Sequence, residues 1–220
     1  LFSQLLDGRD AFWKLIENEN VPMAVRMMQM LSMGHHLQKN ISEGQLFGLE
    51  NIYDHYLSEG AANRMNVYLK EKWEKPGSRY HVMKAMFSCL HKLEVLSADW
   101  PGKVRHYEKI LFSGGRKKYE ALHQYRLPDK IAEQLLSYFI YVYFAGAVYD
   151  GMPYSKVKLA VISTMLIEDI VCAKAAEKGE LTFEEIADAA HSYAREVEHS
   201  DLNLQRLSTM FRHQKCFHIG

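Results

Sequence analysis

The fold class is decided by residues 182–199, which have the sequence TFEEIADAAHSYAREVEH. Thr182 and Glu185 have the spacing of a capping box, in which two side chains satisfy the free backbone N–H groups at the start of a helix. The apolar side chains that follow recur every three or four residues and form one stripe, made of Phe183, Ile186, Ala190, Tyr193, Ala194 and Val197. This stretch therefore predicts an amphipathic helix with one face on a core.

Similar helical signals continue along the rest of the chain. Four prolines each precede a periodic apolar stretch, as expected of proline in a first helical turn: Pro22, Pro101, Pro128 and Pro153. No run of strictly alternating polar and apolar residues indicates a sheet. We therefore predict an all-α fold, a multi-helix bundle of about ten helices around two central apolar helices at 129–149 and 154–178.

Three local signals predict where helices begin and end. Ser42 and Gln45 also have capping-box spacing, which predicts a helix start there. Gly179 can supply the left-handed residue that closes helix 154–178. The pair Gly114-Gly115 predicts a break or loop inside the helical region 101–123.

The length of 220 residues allows one large domain or two small ones. We predict a single helical domain over 1–220, with a candidate subdivision into 1–76 and 77–220. The boundary would lie at Lys75-Pro76-Gly77-Ser78, where one helix must stop and Ser78 can cap the next.

Composition argues against several classes of partner. Lys+Arg and Asp+Glu both number 27, so no net charge favours nucleic acid or an anionic membrane. The longest apolar run, 135–149, contains four tyrosines and falls short of the roughly 20 residues of a membrane span, so we expect a buried helix. The cysteines Cys89, Cys172 and Cys216 form no CxxC pair, which fits a reducing cytoplasm.

The most distinctive polar stretch ends one amphipathic helix and begins the next. Its candidate site residues are Tyr193, Arg195, Glu198, His199, Asp201 and Asn203. Two interpretations stay open: a helix–helix corner in which Ser200 or Asp201 caps the next helix, or a polar pocket wall built from Arg195, Glu198 and His199. In either case we expect Glu198 or His199 to be partly buried and hydrogen-bonded, because a buried charge without a partner is costly.

A secondary candidate site lies where the apolar run 135–149 ends. Tyr149 and Asp150 precede Gly151, and Lys156 follows shortly afterwards. An Asp-Gly pair is typical of a turn, so a structural role competes with a functional one here. Hydrolase, nucleotide-binding and zinc-protease signatures are absent from the sequence.

A di-iron centre is the strongest metal hypothesis. Glu-x-x-His spacing occurs at Glu120/His123 and at Glu196/His199, and Glu133 with Glu168 could add two carboxylates. With 11 histidines in the chain, however, pairs of this spacing arise by chance. We therefore predict no metal site.

Several stretches resemble the closing helices of the flagellin lysine-N-methylase family, known as FliB. They are YVYFAGAVYDG at 141–151, VKLAVI at 157–162 and YAREVEHSD at 193–201. The stretch LLDGRDAFW at 5–13 and the helix predicted at 22–39 are similar to the helical region that precedes those closing helices. The resemblance spans much of the chain, and the run at 195–201 is its most specific part.

The resemblance implies a bacterial, cytoplasmic enzyme that methylates lysine side chains of flagellin. It also implies S-adenosylmethionine as methyl donor and an iron–sulfur cluster held by a cysteine-rich N-terminal segment. No such cysteine cluster occurs here, and the chain starts at Leu1 rather than Met. We therefore expect the C-terminal helical portion of a longer enzyme, which binds no cofactor itself, is inactive alone, supports the missing segment and docks flagellin.

Two alternatives from other classes stay open. The first is a helical ligand-binding or regulatory module with no catalytic activity. The second is a metal-binding helical-bundle enzyme. Neither nucleic acid nor a membrane is an expected partner.

Overall fold

A computed structural model describes residues 1–73 and 78–213. Within this part of the chain helices dominate and no strand occurs, so the predicted all-α fold is confirmed. Residues 75–77 of the candidate boundary lie outside the described residues.

The α-helices are α1 Phe2–Ile16, α2 Met23–Ser42, α3 Leu49–Leu57, α4 Glu59–Tyr68, α5 Ser78–Leu90, α6 Trp100–Phe112, α7 Gly115–Leu122, α8 Asp129–Tyr143, α9 Ala147–Asp150, α10 Pro153–Lys178, α11 Phe183–Glu198 and α12 Asp201–His213. A π-helical turn at Leu69–Trp73 follows α4. Short 3-10 turns follow α7 and α8, at His123–Tyr125 and Phe144–Gly146.

The capping box at the start of α11 is confirmed. The Thr182 hydroxyl accepts from the Glu185 N–H at 3.4 Å, and the Glu185 carboxylate accepts from the Thr182 N–H at 3.0 Å. Gly179 follows α10 with a φ of 92°, a left-handed conformation that suits glycine. The break at Gly114-Gly115 is also confirmed, since α6 ends at Phe112 and α7 begins at Gly115.

The second predicted capping box is wrong. Ser42 is the last residue of α2 and not the start of a helix. Its hydroxyl donates to the carbonyl of Gln38, one turn earlier, which is a common alternative for serine in a helix. The next helix, α3, begins only at Leu49.

The chain forms two compact units, each made of two separate stretches. Unit 1 comprises the described residues of Leu1–Lys75 and Asp129–Ile162. Unit 2 comprises those of Pro76–Pro128 and Ser163–His218. Helix α10 therefore contributes its N-terminal part to unit 1 and the remainder to unit 2.

Helices α1, α2, α3 and α8 form the core of unit 1. The ring of Phe12 meets that of Phe144 edge-on, with centroids 4.9 Å apart. Gly34 lets α2 approach α10 closely, because a Cβ at this position would lie only 3.0 Å from Val157 Cγ2. The methionines of α2 at 28, 30 and 33 are buried, so they fill the core.

An aromatic cluster joins α5, α6 and α7 in unit 2. Phe112 packs against Phe87 at a centroid distance of 5.5 Å and against Tyr119 at 5.4 Å. Tyr80 meets Tyr119 edge-on at 5.5 Å. These contacts fix the positions of the helices that carry the polar network described below.

The expectation of a buried central helix at 129–149 is wrong. Helix α8 has a buried face, but Tyr138, Tyr141 and Val142 are 48%, 61% and 45% exposed. Tyrosine tolerates this position because its hydroxyl can face water while its ring covers apolar surface. Helix α10, in contrast, is buried along most of its length.

One helical stretch in the described part of the chain is long and apolar enough to suit a membrane span. It is Asp129–Asp150, with 22 residues, a mean hydropathy of 1.3 and 39% of its most apolar window buried. A core helix of a soluble protein meets the same criteria, so this is weak evidence for a membrane.

Candidate functional site

A buried polar network in unit 2 centres on Asp169 of α10, which is 0% exposed. The Asp169 carboxylate accepts from the Arg79 guanidinium at 3.1 Å and from the Tyr119 hydroxyl at 3.0 Å. His123 Nε2 lies 3.2 Å from the same carboxylate. Arg79 also donates to Glu168 at 2.7 Å. The network thus ties α5 and α7 to α10.

This environment shifts the pKa values of its members. Burial alone would lower the pKa of Arg79, but Asp169 and Glu168 raise it above its ordinary value. Burial and Asp169 raise the pKa of the Tyr119 hydroxyl. The same two causes raise the pKa of the nearby Cys172 thiol, so it is a poor nucleophile.

The polar corner between α11 and α12 forms hydrogen bonds with the loop that follows α5. Asn203, which is fully buried, accepts from the Glu94 N–H at 2.6 Å and donates to the carbonyls of Glu94 and Glu196 at 2.9 and 2.7 Å. Its own N–H donates to the Ser200 hydroxyl at 3.2 Å. The Glu196 carboxylate accepts from the Leu96 N–H at 2.9 Å. These contacts hold a helix–helix corner, with Ser200 capping α12.

The other predicted members of this corner differ in their burial. The Tyr193 hydroxyl is buried and lies 2.9 Å from the Ser163 hydroxyl. Arg195 and Glu198 are half-buried, whereas His199 and Asp201 are exposed. Neither of the two cavities described below is lined by any of these six residues. Their functional role therefore stays a prediction.

The secondary candidate site lies in unit 1, between α9 and the start of α10. The Asp150 carboxylate accepts from the Lys156 ammonium at 2.7 Å and from the Met152 N–H at 2.9 Å. Tyr149 is 93% exposed and lies on the surface beside them. The geometry is that of a turn closed by an ion pair.

Five of the six residues weighed for a di-iron centre have other partners, and the sixth, His199, is exposed. His123 pairs with Asp169, Glu168 with Arg79, Glu196 with a backbone N–H and Glu120 with Arg116 at 3.3 Å. Over residues 1–73 and 78–213 no group of three His, Cys, Asp or Glu side chains is placed to hold a metal ion. Cys89 and Cys172 are buried free thiols, while Cys216 lies outside the described residues.

A groove of about 540 Å³ lies between α1 and α8 in unit 1. Its lining residues come from the C-terminal end of α1 and from one face of α8: Trp13 of α1, Glu17 directly after it, and Lys130, Glu133, Gln134, Ser137, Tyr138 and Tyr141 of α8. Positions three or four apart share a helical face, which is why these side chains converge. The groove could not be predicted from the sequence, because an outward aromatic face of a helix has the same period as a core face.

The aromatic wall of the groove already contacts a cation. The rings of Trp13 and Tyr141 are nearly parallel, with an interplanar angle of 9° and centroids 6.0 Å apart. The Arg9 guanidinium carbon lies 4.9 Å from the Trp13 centroid and 5.7 Å from the Tyr141 centroid. Both distances are within the range of cation–π attraction.

The polar end of the groove is anchored by Arg26 of α2, which is 2% exposed. Its guanidinium donates to Glu133 Oε1 at 2.7 Å and to the carbonyls of Ile16 and Val21 at 2.6 Å. Lys130 lies 2.8 Å from Glu133 Oε2. Burial would raise the pKa of Glu133, but the hydrogen bonds from Lys130 and Arg26 hold it below its ordinary value.

Glu133 is therefore ionised and engaged on both oxygens. Glu17, one turn after Trp13, is exposed and makes none of the ion pairs found in the described part of the chain. It is the carboxylate of this groove with room for a further cation.

A second cavity, of about 400 Å³, lies in unit 2. Its lining residues come from α10, α11, the loop between them and the chain after α7: Val171, Ala175, Glu180, Leu181, Ile186, Gln124, Tyr125, Arg126 and Pro128. Arg126 is its cationic group.

Taken by themselves, these features define an all-α protein domain with an aromatic and acidic groove on its surface. Residues 9–220 match the family model described as the FliB lysine N-methylase C-terminal domain. This match covers almost the whole chain, so the chain belongs to that family, and the resemblance drawn from sequence is confirmed. Comparisons with curated proteins and with solved structures gave no significant match.

Proposed function

We propose that this chain is the C-terminal helical domain of a flagellin lysine-N-methylase, where it supports the catalytic segment and docks flagellin. The family match over 9–220 carries the first part of this proposal. The chemistry of the groove between α1 and α8 supports the second part.

A lysine side chain needs two kinds of surface. Its methylene stem packs on apolar faces, and its ammonium seeks hydrogen-bond acceptors or aromatic rings. Tyr138 and Tyr141 offer exposed ring surface, and Glu17 offers a carboxylate at the same groove. A lysine presented on a flagellin helix or loop would therefore find both.

The supporting role follows from how the polar groups of each unit are used. Asp169 and Asn203 are buried, and each holds two or more partners from other helices or loops. Glu133 is also buried and pairs with Arg26 of α2 and with Lys130 of its own helix. Such networks specify one arrangement of helices, because leaving a member unsatisfied is costly. The result is a defined surface against which another segment can pack.

Methyl transfer itself is assigned to a different segment of the full enzyme. S-adenosylmethionine would supply the methyl group there, and a cysteine-rich segment would hold the iron–sulfur cluster. Clusters of this kind take four thiolates, whereas Cys89 and Cys172 are separately buried in apolar helices. The described residues do not fit such a cluster.

Docking is tested with the purified chain and unmethylated flagellin in biolayer interferometry. We expect saturable binding that Glu17→Gln weakens about tenfold, because a charge-assisted contact contributes about 1.5 kcal/mol. The matched control is Glu43→Gln, the same charge change at an exposed position of unit 1 outside the groove. No binding, or an equal loss in both variants, would refute docking at this groove.

The division of labour is tested by activity. The chain alone, given S-adenosylmethionine and flagellin, should leave every lysine unmodified, whereas addition of the upstream cysteine-rich segment should restore methylation. Methylated lysines produced by the chain alone and detected by mass spectrometry would show that the active site lies within these 220 residues.

One observation favours a second function. The cavity beside α10 and α11 combines apolar walls with the guanidinium of Arg126, which suits a small amphipathic acid. A ligand-binding module would show a thermal shift with such acids that Arg126→Gln abolishes. An unchanged melting temperature across a panel of aliphatic carboxylic acids would remove this alternative.

A further inference from the structure

We propose that the groove between α1 and α8 binds lysine side chains that are already methylated, and prefers them to unmodified lysine. This inference rests on the proposed docking of flagellin and names the form of lysine that the groove retains. It assigns the domain a product-binding role in addition to support of the catalytic segment.

The exposed aromatic rings of the groove suit a quaternary ammonium group. Tyr141 is 61% exposed, so much of its ring remains open although Trp13 stacks beside it. Tyr138 lies one turn away on the same face of α8 and is 48% exposed. Aromatic surfaces arranged in this way recognise quaternary ammonium groups, whose methyl groups pack on the ring faces.

The groove offers a ligand few hydrogen-bond acceptors. An unmodified ammonium carries three N–H donors and is strongly hydrated, so it needs several acceptors to replace water. Both oxygens of Glu133 already contact Arg26 and Lys130, which leaves Glu17 as the carboxylate available to a ligand. A trimethylammonium has no N–H donors and needs only charge compensation. The groove therefore suits the methylated form better.

The aromatic rings of this groove already contact one cation, the guanidinium of Arg9. Arg9 lies over both Trp13 and Tyr141 through its flat guanidinium, which is weakly hydrated compared with an ammonium. Methylation of lysine makes its charge similarly diffuse. A ligand on the remaining face of Tyr141 would use the same type of attraction.

The consequence for the enzyme is retention of its product. A flagellin that carries one methylated lysine would stay bound through this groove while its other lysines reach the catalytic segment. Tethering of this kind raises the effective concentration of the remaining sites without further contacts.

The test uses three capped Ala-Lys-Ala peptides and the purified chain. One peptide carries unmodified lysine, one trimethyllysine, and one a neutral isostere in which a tert-butyl group replaces the trimethylammonium. Isothermal titration calorimetry should show trimethyllysine binding about tenfold more tightly than either of the others. Equal binding of the neutral isostere would show that charge plays no part, and equal binding of unmodified lysine would show that methylation plays none. Either result overturns the inference.

Variants then locate the site. Tyr141→Phe keeps the ring and should retain binding, whereas Tyr141→Leu keeps an apolar side chain and should lose at least fivefold. Phe47→Leu is the matched control, because Phe47 is an aromatic residue that is 97% exposed and does not line the groove. Retained binding in Tyr141→Leu, with its circular dichroism unchanged, overturns the inference. Peptide discrimination by the unaltered chain tests the inference even if a variant unfolds.

The two proposals fail in different ways. If flagellin binds and Glu17→Gln weakens it, but the three peptides bind equally, docking stands and the preference for methylated lysine is wrong. If neither flagellin nor any peptide binds, both proposals are wrong.

Discussion

Replacement of Asp169 by Asn removes one negative charge from the network of unit 2 and keeps the side chain's size. Asp169 is completely buried, and its carboxylate lies 3.0–3.2 Å from the Arg79 guanidinium, the Tyr119 hydroxyl and His123 Nε2. Asn can still accept with its oxygen, but its amide nitrogen then faces a donor or an unmatched group. The guanidinium of Arg79 loses one of its two carboxylates and retains Glu168 at 2.7 Å.

The expected loss follows from these contacts. Hydrogen bonds to charged groups contribute about 1.5–3 kcal/mol, and those between neutral groups about half as much. Breaking a buried ion pair outright costs about 3–5 kcal/mol, a range that Glu168 reduces by retaining Arg79. We therefore expect Asp169→Asn to lower the free energy of unfolding by about 3 kcal/mol.

Urea unfolding followed by far-UV circular dichroism measures this loss. The matched control is Glu120→Gln, which also removes a carboxylate charge but breaks only an exposed pair with Arg116. We expect the control to lie within about 0.5 kcal/mol of the unaltered chain. A loss below about 1 kcal/mol for Asp169→Asn, at an unchanged urea dependence, would refute a structural role for the network.

Three further predictions concern other buried groups. Asn203→Ala should lower the free energy of unfolding by about 2 kcal/mol, because it leaves backbone groups at the α11–α12 corner unpaired. His199→Ala, at an exposed position, should change the free energy of unfolding by less than about 0.5 kcal/mol. Both values come from urea unfolding, and equal effects would contradict the assignment. Because the pKa of Glu133 is depressed in the folded state, its stabilising contribution is present above the unfolded value of about 4.3 and is lost as the pH falls through the folded pKa. Unfolding between pH 3 and 6 should therefore depend less on pH in Glu133→Gln. Burial raises the pKa of Cys172, so iodoacetamide at pH 8 should leave it unlabelled until urea is added, and peptide mass spectrometry after labelling of the native chain checks this.

Short-range signals in the sequence were sufficient for much of the secondary structure. The capping box of Thr182 and Glu185, the closing Gly179 and the break at Gly114-Gly115 each depend on contacts or conformations within one turn. Ser42 shows the limit of this reasoning. Its spacing to Gln45 also fits a cap, yet a serine can equally bond back to the preceding turn, as it does here.

The family was also readable from sequence, because the runs at 141–151 and 193–201 resemble its closing helices, and the family model matches residues 9–220. The exposure of helix α8, in contrast, could not be predicted from the sequence. Apolar and aromatic residues at helical spacing predict one covered face, but the pattern does not say whether a second aromatic face meets the core or water. Tyr138 and Tyr141 face outward, and the groove exists only because α1 lies beside them.

The sequence by itself thus determined the all-α class, several helix ends and the family. The tertiary structure alone decided which charged residues are buried together. Arg26 and Glu133 are 107 positions apart, and Tyr119 and Asp169 are 50 apart. No local pattern marks such partners, since a buried arginine and an exposed one look alike in a helix until the fold brings a carboxylate to one of them.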